Sequence, residues 1–131
     1  MAQLSPASRP LSPHLSIYRF TWLMAASIIH RLTGAALYFG MALVAWWLLA
    51  LARGPEAYGL FLLVASSWPG RLVLFGYAWA LMHHMLGGIR HLVWDTGEAL
   101  DVKTARVLAI ANFIGSFALT LLICVTAAGV R

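Results

Sequence analysis

Charged residues are scarce in this chain of 131 residues. Only 10% of them are Asp, Glu, Lys or Arg, whereas 62% are hydrophobic, and a soluble domain contains about 25% charged residues. So few polar side chains cannot cover a water-facing surface, which argues against a soluble protein. Nor does the sequence alternate apolar and polar residues as a β-barrel would. Because only helices and closed barrels satisfy their backbone in lipid, the composition predicts an all-α membrane protein.

The sequence also contains only one cysteine and no pattern typical of a secretory leader. The single cysteine, Cys124, lies in an apolar run and forms no disulfide within the chain, so we expect a small residue packed against lipid or a helix. Residues 1–20 contain no continuous apolar core, which predicts that there is no cleavable signal peptide. The net charge of +5 comes from basic residues scattered singly near helix ends, so we predict no nucleic-acid partner.

Three long stretches without charge predict three transmembrane helices. Residues 32–52, 72–89 and 107–130 contain no Asp, Glu, Lys or Arg, and a helix needs about 20 apolar residues to cross a bilayer. Three consecutive spans must run up, down and up. The predicted helices cover about 21–52, 71–95 and 104–130.

The remaining segments divide the chain into a tail and one membrane domain. Residues 1–20 carry several prolines and serines, which predicts an extended tail before an anchor domain over residues 21–131. The stretch "RGPEAYG" (53–59) predicts a turn. The stretch "LFLLVASSW" (60–68) is too short to span, and we expect it to lie at the membrane interface and end at the following Pro-Gly pair.

Basic residues lie mostly on one side of the predicted membrane. Six of the nine fall on the side of the N-terminus, which places that end in the cytoplasm. The lack of a presequence favours bacteria or a processed chain, so we expect the bacterial inner membrane ahead of the mitochondrial one. The six are Arg9, Arg19, Arg31, Arg90, Lys103 and Arg106, and the other three are Arg53, Arg71 and Arg131.

Two polar stretches interrupt this pattern on the same side of the membrane. In an up-down-up arrangement, "SIIHRLTG" (27–34) at the start of the first helix and "HHMLGGIRH" (83–91) at the end of the second lie at similar depth. Every histidine except His14 falls in these two stretches. Ionisable residues inside a membrane are costly and generally mark function.

The second stretch has the spacing of a site for a flat ligand. His84 and His91 are seven residues apart and share one helix face, with His84 about 9 Å below the boundary formed by Arg90 and His91. Gly87 lies between them and lets a ligand or another helix approach closely. A deep imidazole, a glycine groove and shallow cations suit a porphyrin standing on edge, with iron on the histidine and propionates on the cations.

The first stretch and the end of the second helix add three candidate residues. Ser27 and Arg31 are four residues apart and share a helix face. Arg31 can bind propionates or hydrogen-bond a carbonyl-bearing ligand at the membrane boundary. Asp95 is a candidate counter-ion for one of the arginines.

These residues also permit plainer interpretations. Boundary Arg90, His91 and His83 can simply anchor a helix by reaching the interface, and His84 can be a hydrogen-bonded helix contact. Two rival functions therefore remain open: a structural anchor without cofactor, and a small transporter or channel component with proton-relaying histidines. The absence of a Cys-x-x-Cys-His motif excludes covalently attached haem.

Three motifs resemble the cytochrome b subunits of succinate dehydrogenase, respiratory complex II: "RPLSPHLSIYR" (9–19), "SIIHRLTG" (27–34) and "HHMLGGIRHLVWDTG" (83–97). The resemblance implies that His84 is the axial ligand of haem b. It implies that Ser27 and Arg31 line a ubiquinone pocket, and that His30 and Arg31 contact a haem propionate. His91 joins the same polar surround, and His83 receives no role.

The resemblance also implies partners and a place in electron transport. A flavoprotein subunit oxidises succinate, as in the tricarboxylic acid cycle, and an iron–sulfur subunit docked on the cytoplasmic side passes the electrons to ubiquinone. A small membrane-anchor subunit supplies the second haem ligand. The chain itself then has no residue that acts on succinate, and it forms one part of a larger heteromeric helix bundle among membrane lipids.

Overall fold

The protein is a bundle of helices throughout the part that the structure describes. The structure, a computed structural model, describes residues 13, 14 and 17–129, so most of the predicted tail lies outside it. Three of the helices are long and apolar enough to cross a membrane, which confirms the three predicted spans. In chain order the helices are α1 (Trp22–Arg53), α2 (Pro55–Ser66), α3 (Trp68–Asp95) and α4 (Val102–Gly129).

Side-chain caps define where the three long helices begin. The Thr21 hydroxyl accepts a hydrogen bond from the Met24 N–H, and the Ser67 hydroxyl accepts one from the Gly70 N–H. Before α4, the Asp101 carboxylate accepts a hydrogen bond of 2.9 Å from the Thr104 N–H. These caps satisfy donors that the first turn of a helix leaves unpaired.

The connection between the first two spans differs from the prediction. The prediction of a turn over 53–59 is wrong, because α2 already begins at Pro55. The helical conformation is interrupted only at Gly54, whose φ of 102° is one that glycine adopts readily. The second span likewise starts at Trp68 instead of 71, with the Pro-Gly pair inside its first turn. Both differences have one cause: proline is favoured at the first helical positions, where no N–H is needed. With 12 residues, α2 is too short to cross a membrane.

The middle span, α3, lies antiparallel to both α1 and α4. The His30 ring of α1 stacks on His84 near the end of α3. Gly40, farther along α1, faces Tyr77, which lies earlier in α3. Contacts with α4 reverse in the same way, which confirms the up-down-up order. The pairs on that side are His83 with Phe113 and Phe75 with Phe117.

Small residues hold the bundle together. Among the described residues, the buried hydrophobic side chains are five alanines and Phe61, and the large apolar side chains of the spans mostly face outward. Lipid is as apolar as leucine, so membrane helices associate through close packing of small residues and through interhelical hydrogen bonds. The buried polar side chains are Thr33, His83, Arg90, Asn112, Ser116 and Thr120.

We predict that Gly40→Ala destabilises the bundle, because the added methyl group would collide with the Tyr77 ring. Overpacking of this kind costs about 1–3 kcal/mol. Thermal unfolding of the purified membrane complex would measure the loss. Gly76→Ala is the matched control, since nothing lies within 4 Å of its added methyl group and both variants gain the same helix propensity. Equal melting temperatures of the two variants would contradict the prediction.

Candidate functional site

Three histidines meet at one end of the bundle, where α1 begins and α3 ends. The rings of His30 and His84 stack with their centroids 4.1 Å apart and their planes within 5° of parallel. The His91 ring lies 5.2 Å from that of His30. The two polar stretches that the sequence placed at similar depth are therefore in direct contact.

Two glycines make this approach possible. A methyl group on Gly34 of α1 would lie 2.9 Å from Cε1 of His84, and one on Gly87 of α3 would lie 2.5 Å from Nδ1 of His30. Each imidazole thus lies over a glycine of the opposite helix. Gly87, which the sequence predicted to admit either a ligand or a helix, receives the His30 side chain of α1.

The half-buried His84 is oriented by the backbone of α1. Its Nδ1 lies 3.1 Å from the carbonyl oxygen of His30, and the Thr33 hydroxyl donates to the same oxygen at 3.0 Å. A carbonyl oxygen only accepts, so His84 is neutral with its proton on Nδ1 or is doubly protonated. In the neutral form Nε2 carries a lone pair, and it makes no hydrogen bond to any described residue. An imidazole held in this way is the usual form of a histidine that binds a metal through Nε2.

The cluster can supply one axial ligand to a haem iron. The stacked His30 ring lies directly against His84, so no macrocycle fits between them. Within residues 13, 14 and 17–129, no group of three or more His, Cys, Asp or Glu side chains could hold a metal ion. The single histidine with this geometry fits one axial position of a haem.

Ser27 and Arg31 lie beside this cluster on the outer surface of α1. Both side chains are exposed and one helical turn apart. Neither makes a hydrogen bond within the described part of the chain. Their polar groups therefore face whatever covers this side of α1, whether a ligand or a partner helix.

The other predicted residues at this end differ in accessibility. His91 is exposed, and its ring meets Trp94 edge-on at 5.1 Å. Asp95, the last residue of α3, is also exposed, and its role as counter-ion stays a prediction. Arg90 was expected to be a shallow cation but is only 6% exposed. Its guanidinium lies 4.9 Å above the Trp94 ring, so it does not reach outward as an anchoring arginine would.

The neighbouring His83 belongs to a different environment. It is fully buried between α3 and α4, which rules out the interface-anchoring interpretation. Its Nδ1 lies 3.3 Å from the Ser116 hydroxyl, and Asn112 Nδ2 lies 3.1 Å from both ring nitrogens. His83 is therefore a buried hydrogen-bonded contact with no nitrogen facing the His84 cluster.

The polar stripe on α4 is the feature that the sequence analysis missed. Asn112, Ser116 and Thr120 recur every four residues in the otherwise apolar stretch 107–125 of α4 and are all buried. That spacing puts them on one face and was a readable signal that this face of α4 packs inside the bundle. It explains why His83, and not His84, points toward α4.

Comparisons with known proteins cover nearly the whole chain. A family model described as the succinate dehydrogenase/fumarate reductase transmembrane subunit matches residues 5–123, which include both polar stretches. Over 122 residues the chain is 41% identical to the succinate dehydrogenase cytochrome b556 subunit of Paracoccus denitrificans, covering 93% of this chain and 94% of the relative.

Two further relatives carry similar names. The chain is 37% identical over 117 residues to the succinate dehydrogenase cytochrome b556 subunit of Rickettsia felis, covering 89% of this chain and 91% of that one. It is 42% identical over 100 residues to the mitochondrial succinate dehydrogenase cytochrome b560 subunit of Sus scrofa, covering 73% and 58% of the two chains.

We predict that His83 and Asn112 are energetically coupled. His83→Ala, Asn112→Ala and the double variant form a double-mutant cycle. Because either single substitution already removes the shared interaction, the double variant should lose less stability than the sum of the two single losses. Hydrogen bonds between membrane helices contribute about 0.6 kcal/mol on average and up to about 1.7, so the coupling should fall in that range. The free energy of unfolding in mixed micelles is the measurement. Thr126→Val, which removes an exposed hydroxyl bonded within its own helix, is the control, and additive losses would refute the coupling.

Proposed function

Because the chain belongs to the family of succinate dehydrogenase and fumarate reductase transmembrane subunits, we propose that it helps to bind haem b and the ubiquinone reduced with electrons from succinate. At the coarser level it is an integral membrane subunit of an oxidoreductase complex. The relatives are named cytochrome b subunits, which implies haem b. The finer assignments rest on the residues around His84.

The position of His84 carries the haem proposal. A hydrogen bond from Nδ1 to the His30 carbonyl fixes the ring and increases the basicity of Nε2 as a ligand. Haem b, when bound, supplies a one-electron store. His30 stacks on the His84 ring, His91 lies beside His30, and Arg31 follows His30 on α1, so these three residues would bind the propionates through charge-assisted hydrogen bonds.

A haem that takes one axial ligand from this chain requires its second ligand from a partner subunit. His30 is stacked on His84 and His83 is bonded to α4, so neither can serve as the opposite ligand. The outward-facing apolar side chains of the spans leave ample surface for another membrane subunit. The assembly we propose contains a small membrane-anchor subunit that provides the second ligand, an iron–sulfur subunit and a flavoprotein subunit.

Ser27 and Arg31 would form this chain's part of the quinone site. Reduction of a quinone places negative charge on its oxygens, and a fixed guanidinium stabilises that charge as it develops. The Ser27 hydroxyl, one turn away on the same exposed surface, can donate a hydrogen bond to a quinone oxygen. No side chain of this subunit would act on succinate.

The charge distribution supports an orientation in which this site faces the source of electrons. The excess of basic residues on the N-terminal side supports an orientation with the start of α1 and the end of α3 at the cytoplasmic surface. We therefore propose that the iron–sulfur subunit docks there, and that the membrane is the bacterial inner membrane.

We predict that His84→Ala abolishes the b-type absorption band of the dithionite-reduced complex, because it removes the imidazole that is oriented by the His30 carbonyl and whose Nε2 is available. The measurement is a reduced-minus-oxidised spectrum of the purified complex. His83→Gln is the matched control: it changes the adjacent histidine but keeps an amide to bond Asn112 and Ser116, so it should retain the band. Persistence of the full band in His84→Ala complexes would overturn the haem assignment.

We predict that Arg31→Leu lowers quinone reductase activity on the order of a hundredfold and that Ser27→Ala lowers it about tenfold. Succinate oxidation with an artificial soluble acceptor should change little, because electrons then leave the complex before the quinone site. The ratio of the two activities is the measurement.

Two variants separate a quinone defect from general damage. Arg31→Lys keeps the positive charge and should recover part of the activity. Arg19→Leu removes another exposed arginine close to the start of α1 and should leave the ratio unchanged. Equal loss of both activities in Arg31→Leu would indicate faulty assembly and would count against the quinone role.

A further inference from the structure

Arg90 is a positive charge enclosed in the bundle without a partner among the described residues. The residue is only 6% exposed, and its Nε and Nη1 are buried and make no hydrogen bond in the part of the chain that is described. Arginine stays protonated in proteins. The face of the Trp94 indole covers the guanidinium, which provides a cation–π contact but no negative charge.

The membrane helices offer almost nothing to neutralise this charge. Asp95 is the one acidic residue in α1, α3 and α4. It is exposed, and five residues along a helix place it about 140° around α3 from Arg90. No acidic side chain of these helices therefore neutralises the guanidinium, and its charge acts in a medium where charges interact far more strongly than in water.

The surroundings of Arg90 include the His84 cluster. Arg90 lies three residues after Gly87, against whose backbone the His30 ring rests, and His30 stacks on His84 at 4.1 Å. Trp94 connects the same groups from the other side, because its ring contacts both Arg90 and His91. Arg90 thus lies between one and two helical turns from His84, the proposed haem ligand, and makes no hydrogen bond to it.

We propose that Arg90 acts through its charge to raise the reduction potential of the haem held by His84. The inference rests on the haem assignment made above. Reduction adds an electron to the haem, and a nearby fixed cation in a low-dielectric environment favours the reduced state. Trp94 maintains the effect by keeping the guanidinium enclosed and away from water.

A redox titration of the purified complex, followed through the reduced b-type band, tests this role. Arg90→Gln should lower the midpoint potential, so that the ferrous-to-ferric ratio at a fixed ambient potential falls on the order of tenfold, which is 59 mV for a one-electron couple. Arg90→Lys keeps a positive charge and should retain most of the wild-type value. Arg106→Gln removes an exposed arginine at the same end of the bundle and should leave the potential unchanged.

Haem content, measured beside the potential, separates this inference from the haem assignment. If Arg90→Gln retains haem and the wild-type potential, the electrostatic role is overturned while the assignment of His84 stands. If the wild-type complex itself contains no haem at His84, the assignment fails first.

A second pair of variants covers the case in which Arg90→Gln does not assemble. Trp94→Leu leaves Arg90 in place but removes its aromatic cover, so water can screen the guanidinium and the potential should again fall. Trp94→Phe keeps an aromatic face and should stay near the wild-type value. An unchanged potential in haem-containing Trp94→Leu complexes would contradict the proposal.

Discussion

The hydrogen bond from the His84 ring to the main-chain carbonyl of His30 sets the geometry on which the rest of this end of the bundle depends. It joins α1 to α3 at one register and fixes which imidazole nitrogen remains available. It also requires the helices to approach so closely that only glycine fits beneath each ring, at Gly34 and Gly87. A single interaction therefore links helix packing, ring orientation and ligand chemistry.

The polar side chains of the two motifs divide into two groups that point in different directions. His83 and Arg90 share one face of α3 and point into the bundle, where His83 is hydrogen-bonded to α4 and Arg90 is enclosed by Trp94. His84 and His91 lie about 100° away on the same helix. The inward group provides a hydrogen bond between helices and an enclosed positive charge. The other group, with exposed Ser27 and Arg31, remains available for binding.

Sequence reasoning reached the spans and the meeting of the two motifs because both follow from charge and helix direction. It did not predict how α3 is rotated about its own axis. His83 and His84 are adjacent, and only the helix that packs against α3 decides which of them turns inward. That partner was the Asn112, Ser116 and Thr120 stripe. Arg90 was misplaced for a related reason: a basic residue near a span end normally reaches the interface, and only the position of Trp94 reveals that it is enclosed.

A subunit of this kind is built to be completed by others. Its buried contacts use small and polar residues, which stabilise a three-span bundle without consuming the large apolar side chains on its surface. In the proposed haem site His84 supplies one imidazole, and the His30 ring stacked on it cannot also lie on the opposite side of the same haem. With the second imidazole from a partner subunit, as proposed, occupancy by haem would depend on correct assembly. The same reasoning applies to the exposed Ser27 and Arg31, which, in the proposed function, a quinone and a neighbouring subunit would cover together.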